Sequence, residues 1–256
     1  MPNYGSVDYW NDRYTQSSEP FEWYQDYTAI STVLGEFIQP EQKILFIGCG
    51  TSVIPSELNK AGFTDIDCVD FSEVAIAAMQ ERYEGLEGLR FTVGDATSLS
   101  NFEAESFDVI IDKACLDAQI CGHLEKDIAN AILTEVNRLL KPGAIFLEIT
   151  YGEPERRHPY LERSDLGWTI EDRPLPRPVV TTETPAVEGR ENHFLYICTK
   201  PIPEEAPEEE VKEGEAEDGG EKEGSGEQDE AEPTEVQEGD EGAAAEEQGE
   251  GEEQTE

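Results

Sequence analysis

Four short stretches place residues able to recognise a ligand at regular intervals in the first half of the chain. The apolar run Ile44-Leu45-Phe46-Ile47 breaks into Gly48-Cys49-Gly50, and Asp70 closes DIDCVD twenty residues after Gly50. Asp95 lies in VGDAT, and FDVIIDK delivers Asp112 and Lys113. Glycines at 48 and 50 let the main chain turn tightly and come close to a ligand. A carboxylate at 70 can accept hydrogen bonds from both hydroxyls of a ribose, and it would repel a 2′-phosphate. Asp95 with the backbone N–H of Ala96 could read the amino group and a ring nitrogen of an adenine. Each feature also has a plain structural alternative. Gly48-Cys49-Gly50 can be an ordinary turn, Asp70 a helix cap beside Ser72, Asp95 a turn aspartate, and Asp112 with Lys113 a strand-end salt bridge.

The third glycine of a dinucleotide fingerprint would fall at position 53, which is Val53. That glycine lets helix and strand pack closely around a pyrophosphate, so its absence argues against NAD and FAD. Acids at the second and third ends without a pyrophosphate glycine describe a nucleoside site lacking phosphates. S-adenosylmethionine has that shape, and the glycine turn would hold its methionine end.

Residues so spaced reach one place only if strands deliver them to a common rim. Strands are expected at Lys43–Ile47, Ile66–Asp70, Leu89–Val93, Phe107–Asp112 and Ala144–Thr150. Helices are expected at Ser52–Ala61 (Ser52 its cap), Glu73–Tyr83 (Ser72 its cap; Val74, Ala78 and Tyr83 near one face) and Glu125–Leu140, stopped by Lys141-Pro142-Gly143. Such alternation implies an α/β fold, a parallel sheet covered by helices on both faces. GWTIED (167–172) and NHFLYICTK (192–200) read as two further strands, an antiparallel hairpin separated by the proline-rich stretch Pro174–Pro185. Ahead of the first strand stands an aromatic leader, YWNDRY then FEWYQDY, followed by a helical run from Ala29 to Phe37. Three segments result: 1–40 as a helical lid, 41–202 as the folded domain, and 203–256 as a tail.

The tail holds 25 acidic residues against Lys212 and Lys222, with no aromatic residue. It cannot bury enough apolar surface to offset chain entropy and is expected to be disordered. Of the formal charge of −41, it carries −23 and the body −18. Both parts disfavour nucleic acid and anionic membranes and would attract a basic protein. Five cysteines without a CxxC pair read as reduced thiols, as in a cytoplasmic or nuclear protein. The three histidines are too scattered for a metal site. MPNYGSVDYW has no basic stretch leading into an apolar one, so no signal peptide is read, and no apolar run is long enough to span a membrane.

YWNDRY, FEWY, ILFIGCGTS, VDFS, GDAT and FDVIIDKACLDA together resemble the class I, seven-strand S-adenosylmethionine-dependent methyltransferases. They are most similar to the group holding the elongation factor 1-alpha and citrate synthase lysine methyltransferases. The resemblance covers roughly residues 4–200. It implies a Rossmann-like three-layer sandwich with a mostly parallel seven-stranded sheet ending in an antiparallel hairpin. It also implies that Trp10, Tyr14 and Trp23 close over the cofactor, although they could equally be an apolar lid without ligand contact. Gly48 and Gly50 match the glycine turn, Asp70 and Phe71 the ribose pair, Asp95 and Ala96 the adenine pair, and Lys113 a fourth-strand contact. Thr51 and Ala114-Cys115 depart from the more usual GCGNS and KGTLDA. The implied activity is protein-lysine N-methylation of a basic partner such as translation elongation factor 1-alpha. The alternatives are a small-molecule methyltransferase and an inactive cofactor-binding interaction module. No catalytic base is assigned, with Asp112 and Asp117 as candidates.

Overall fold

The computed structural model describes residues 2–121, 125–178 and 192–203. Among them, β1 (Ile44–Ile47), β2 (Ile66–Asp70), β3 (Leu89–Val93), β4 (Phe107–Lys113), β5 (Leu140–Thr150), β6 (Thr169–Pro176) and β7 (Asn192–Thr199) form one sheet. Its order is β3-β2-β1-β4-β5-β7-β6. The first five strands run parallel, and β7 is antiparallel to both β5 and β6. The expected architecture, hairpin included, is therefore present. The acidic tail lies outside the described residues.

Side chains alternate across the central strands, as a sheet covered on both faces requires. Ile44 and Phe46 of β1 and Val109 and Ile111 of β4 join one apolar cluster with α2 (Tyr27–Leu34), α3 (Ile54–Lys60) and α4 (Glu73–Arg82). Leu45, Ile47 and Ile110 face the other way, towards α5 (Cys115–Gln119), α6 (Glu125–Leu139) and α7 (Pro154–Leu161). The leader forms α1 (Val7–Gln16), whose Trp10 and Tyr14 pack against Ala75 of α4. Ser72 caps α4 by accepting from the Ala75 N–H, and its hydroxyl donates to Asn11 of α1 at 2.6 Å. From β1 the chain winds outward to β2 and β3, then returns to β4 on the other side of β1. That reversal opens a crevice at the carboxyl ends of β1 and β4.

Four local expectations are corrected. Helix α3 begins at Ile54, two residues after the expected start. The Ser52 hydroxyl accepts from the Ile54 N–H at 3.3 Å, and a leader acid, Glu22, shares the capping by accepting from the Val53 N–H at 2.7 Å. Helix α4 ends at Arg82, one residue short of the expected Tyr83, and its fully buried residues are Ala75, Ile76 and Met79, with Val74 and Tyr83 partly buried beside them. Strand β5 starts at Leu140 and runs through Lys141-Pro142-Gly143, because Leu140 pairs with Phe107 ahead of a register shift in β4. Strand β6 continues through Pro174 and Pro176, which an edge strand tolerates. The two prolines are two residues apart, so both missing N–H groups fall on the outer side of the edge.

Candidate active site

The site begins at the β1 end. Gly48 and Gly50 have φ of +57° and +49°, where a side chain is strained. A Cβ on Gly48 would stand 2.5 Å from Cys115 Sγ, and one on Gly50 2.5 Å from the Tyr14 hydroxyl. Both positions therefore need glycine for conformation and for space. Helix α1, through Tyr14, and the start of α5, through Cys115, both pack on the turn.

Asp70, at the end of β2, secures the same turn. One carboxylate oxygen accepts from the Gly50 N–H at 2.8 Å and the other from the Ser72 N–H at 2.9 Å. Burial pushes its pKa up to about 6, while the two backbone donors pull it down. A carboxylate has about four lone-pair directions, so two bonds leave acceptor capacity for a ligand. The Asp95 Oδ1 accepts from the Thr97 N–H and hydroxyl at 2.8 Å each, an Asx turn at the rim.

Lys113 lines the cavity and is tied to the leader. Its ammonium meets Glu22 Oε2 at 2.8 Å and donates to the Trp23 carbonyl at 3.1 Å. Its salt bridge is thus with the leader rather than with Asp112. Burial lowers the Lys113 pKa, against which Glu22 acts. Glu22 also accepts from the Ser52 hydroxyl at 2.9 Å. One buried-side acid thus joins the leader, the glycine turn and the end of β4.

All ten residues singled out from the sequence line one cavity of about 230 Å³: Trp10, Tyr14, Trp23, Gly48, Gly50, Asp70, Phe71, Asp95, Ala96 and Lys113. Trp10 stacks on Tyr14 with ring centres 5.7 Å apart and meets Trp23 edge-on at 6.2 Å. The Trp10 indole donates to the Tyr4 carbonyl at 2.7 Å. Burial and the Asp70 charge hold Tyr14 protonated. The arrangement fits an adenosyl cofactor: a Cβ-free turn, a carboxylate with free acceptor sites, a second acid at the next strand end and aromatic cover.

The candidate bases lie deeper. Asp112 accepts from the Cys115 and Leu116 N–H groups at 2.8 and 2.9 Å, capping α5, and burial pushes its pKa up. Asp117 accepts from the Thr150 hydroxyl at 2.7 Å and pairs with the buried Arg157, which also stands 3.2 Å from Glu148. Asp117 lines the cavity and Asp112 does not. Glu22, Tyr24, Tyr151 and Arg157 escaped the sequence reading. Only Glu22 and Tyr24 left a trace, as members of FEWY.

Comparison with known proteins gives the same picture. A family model described as a methyltransferase domain matches residues 44–143. EEF1A lysine methyltransferase 4 of Mus musculus is 34% identical over 177 residues, covering 65% of this chain and 69% of that protein. The human eEF1A lysine and N-terminal methyltransferase is 36% identical over 154 residues, 59% of this chain but 22% of that longer protein. A SAM-dependent methyltransferase from Methanosarcina mazei superposes with a TM-score of 0.55 at 21% identity, covering 72% of this chain and all of that one. With its fold, its cavity and these relatives, the chain belongs to the S-adenosylmethionine-dependent methyltransferases, in the family of the eEF1A lysine methyltransferases.

Proposed function

We propose that the chain methylates a lysine amine of a basic protein, with translation elongation factor 1-alpha as the candidate substrate. The observation that carries this reading is the relatives' own naming for lysine methylation of that factor. The body's charge of −18 supports it, since an acidic surface attracts a basic partner. The reduced-thiol reading of the cysteines fits a cytoplasmic site of action.

In this reading Gly48 and Gly50 offer backbone to the methionine end, Asp70 with Phe71 holds the ribose, and Asp95 with Ala96 holds the adenine. Trp10, Tyr14 and Trp23 exclude water above them, and Lys113 keeps that cover in place through Glu22 and the Trp23 carbonyl. S-adenosylmethionine supplies an electrophilic methyl group when bound. The target lysine must arrive neutral although its ordinary pKa is about 10.4. An aromatic, desolvated entry lowers that value, and a nearby carboxylate can take the proton through water.

The test is incubation of unmethylated elongation factor 1-alpha with the chain and S-adenosylmethionine, followed by peptide mass analysis. One added methyl mass on a lysine is expected. An unmodified factor together with methylated small molecules would move the assignment to the small-molecule reading.

A further inference from the structure

Strand order divides the cavity. β2 and β3, carrying Asp70 and Asp95, lie on one side of β1, whereas β4 and β5 lie on the other. The chain leaving β4 and β5 brings Asp117 and Tyr151 to the same cavity, and the leader adds Tyr24. If the cofactor occupies the β1–β3 side, these three residues border the space left for the acceptor.

Tyr24 is set there by construction. The Gln25 N–H donates to the Trp23 carbonyl at 2.7 Å across Tyr24, whose φ is +64°. This is a three-residue turn in a conformation that residues with a Cβ avoid. Two anchors hold it. Lys113 donates to the same Trp23 carbonyl at 3.1 Å. The Gln25 side chain donates to the outward-facing Pro176 carbonyl of β6 at 3.0 Å and meets His193 Nδ1 at 3.1 Å. Tyr24, at the apex, stands with its ring centre 5.9 Å from that of Tyr151, at 61°. Backbone strain of this kind gathers where a side chain must be aimed.

The Tyr24 phenol neighbours Asp117. Burial first, then the Asp117 charge and hydrogen bonding to it, raise the Tyr24 pKa, so the hydroxyl keeps its proton. Asp117 is oriented from behind by Thr150 and Arg157. Arg157 also stands 3.2 Å from the buried Glu148, whose pKa burial pushes up to about 8, so the guanidinium is held chiefly by Asp117.

We infer that Tyr24, Tyr151 and Asp117 form an acceptor subsite for an alkylammonium side chain, the stem lying along the cavity side of the paired tyrosine rings and the nitrogen reaching the Asp117 carboxylate. Ring faces and a charged hydrogen bond hold the docked ammonium. It then gives its proton to a carboxylate through water before the neutral nitrogen can attack the methyl group. The subsite rests on the methyltransferase reading, and it deepens the proposed substrate class by naming the groups that would select an amine.

Calorimetry with three probes tests it on the full chain. The probes are S-adenosylhomocysteine and two analogues with nitrogen in place of sulfur, one bearing an aminobutyl arm and the other a plain butyl arm. The wild type is expected to bind the amine arm about tenfold tighter than the butyl arm, the size of one charged hydrogen bond. Asp117→Asn and Tyr24→Phe should each cut that preference several-fold while binding S-adenosylhomocysteine as the wild type does. Should Asp117→Asn fail to fold, Tyr24→Phe decides alone. Equal affinity for the two arms in the wild type, or a preference that survives in Tyr24→Phe, overturns the subsite. Absence of S-adenosylhomocysteine binding in the wild type would instead overturn the cofactor placement, and with it the subsite built upon it.

Discussion

The ammonium of Lys113 stands 2.8 Å from the carboxylate of Glu22, joining the end of β4 to the leader segment. The same carboxylate holds Val53 at the start of α3 and the Ser52 hydroxyl. Glu22→Ala leaves a buried lysine unpaired, which costs about 3 kcal/mol. Urea unfolding is expected to show that loss. Lys113→Met, which removes the charge in need of a partner, is expected to cost less. Equal stability of Glu22→Ala and wild type would contradict the strap.

Ala114 sits at φ +76°, a left-handed position at the entry to α5. It stands where the related group more usually has the glycine of KGTLDA. A residue with a Cβ is strained there by about 1–2 kcal/mol. Ala114→Gly regains part of that, less the extra freedom glycine has in the unfolded chain. A rise of about 2 °C in melting temperature is expected. A fall would show that the Ala114 methyl contributes packing that outweighs its strain.

Asp70 serves two purposes, tethering Gly50 and facing the cavity. Asp70→Ala removes charged hydrogen bonds worth about 1.5–3 kcal/mol, so affinity for S-adenosylhomocysteine should fall by roughly 10- to 100-fold. Calorimetry on the folded variant reads this. Unchanged affinity would remove the ribose assignment.

Burial raises the pKa of Asp70 to about 6 and shifts Asp112 and Glu148 upward as well. Above the ordinary carboxylate range, near 4, the folded chain therefore keeps protons that the unfolded chain has released. Stability then falls as pH rises through about 6 and beyond. The melting temperature should be higher at about pH 5.5 than at about pH 8. Repulsion within so acidic a chain acts in the same direction, so Glu148→Gln is the control. It is expected to flatten the slope, and an unaltered slope would discount the buried carboxyl.

Much of the frame was legible because its signals are local. β2 and β3 fall where apolar runs meet Asp70 and Gly94, and β1 begins one residue late. The cavity residues were legible because the carboxyl ends of parallel strands share one rim. What escaped depends on partners distant in sequence. Ser52 caps α3 as its sequence suggests, but it shares the work with Glu22, thirty-one residues before Val53. The prolines of β6 lie in a strand because β7 pairs with them across a segment outside the described residues. Tyr24 and Asp117 come to one cavity only after the leader has folded back, and no spacing rule announces such a pair. Trp10, Tyr14 and Trp23 were readable only through the family resemblance, because their i, i+4 spacing suits an ordinary apolar lid equally well.

The most direct measurement is transfer of a labelled methyl group from S-adenosylmethionine into a cell extract, wild type beside Asp70→Ala. The account predicts a labelled protein band with the wild type, hydrolysing to methyl-lysine and matching the mass of elongation factor 1-alpha, and a strongly weakened band with the variant. Label confined to small molecules, or a protein band of equal strength with Asp70→Ala, would contradict it.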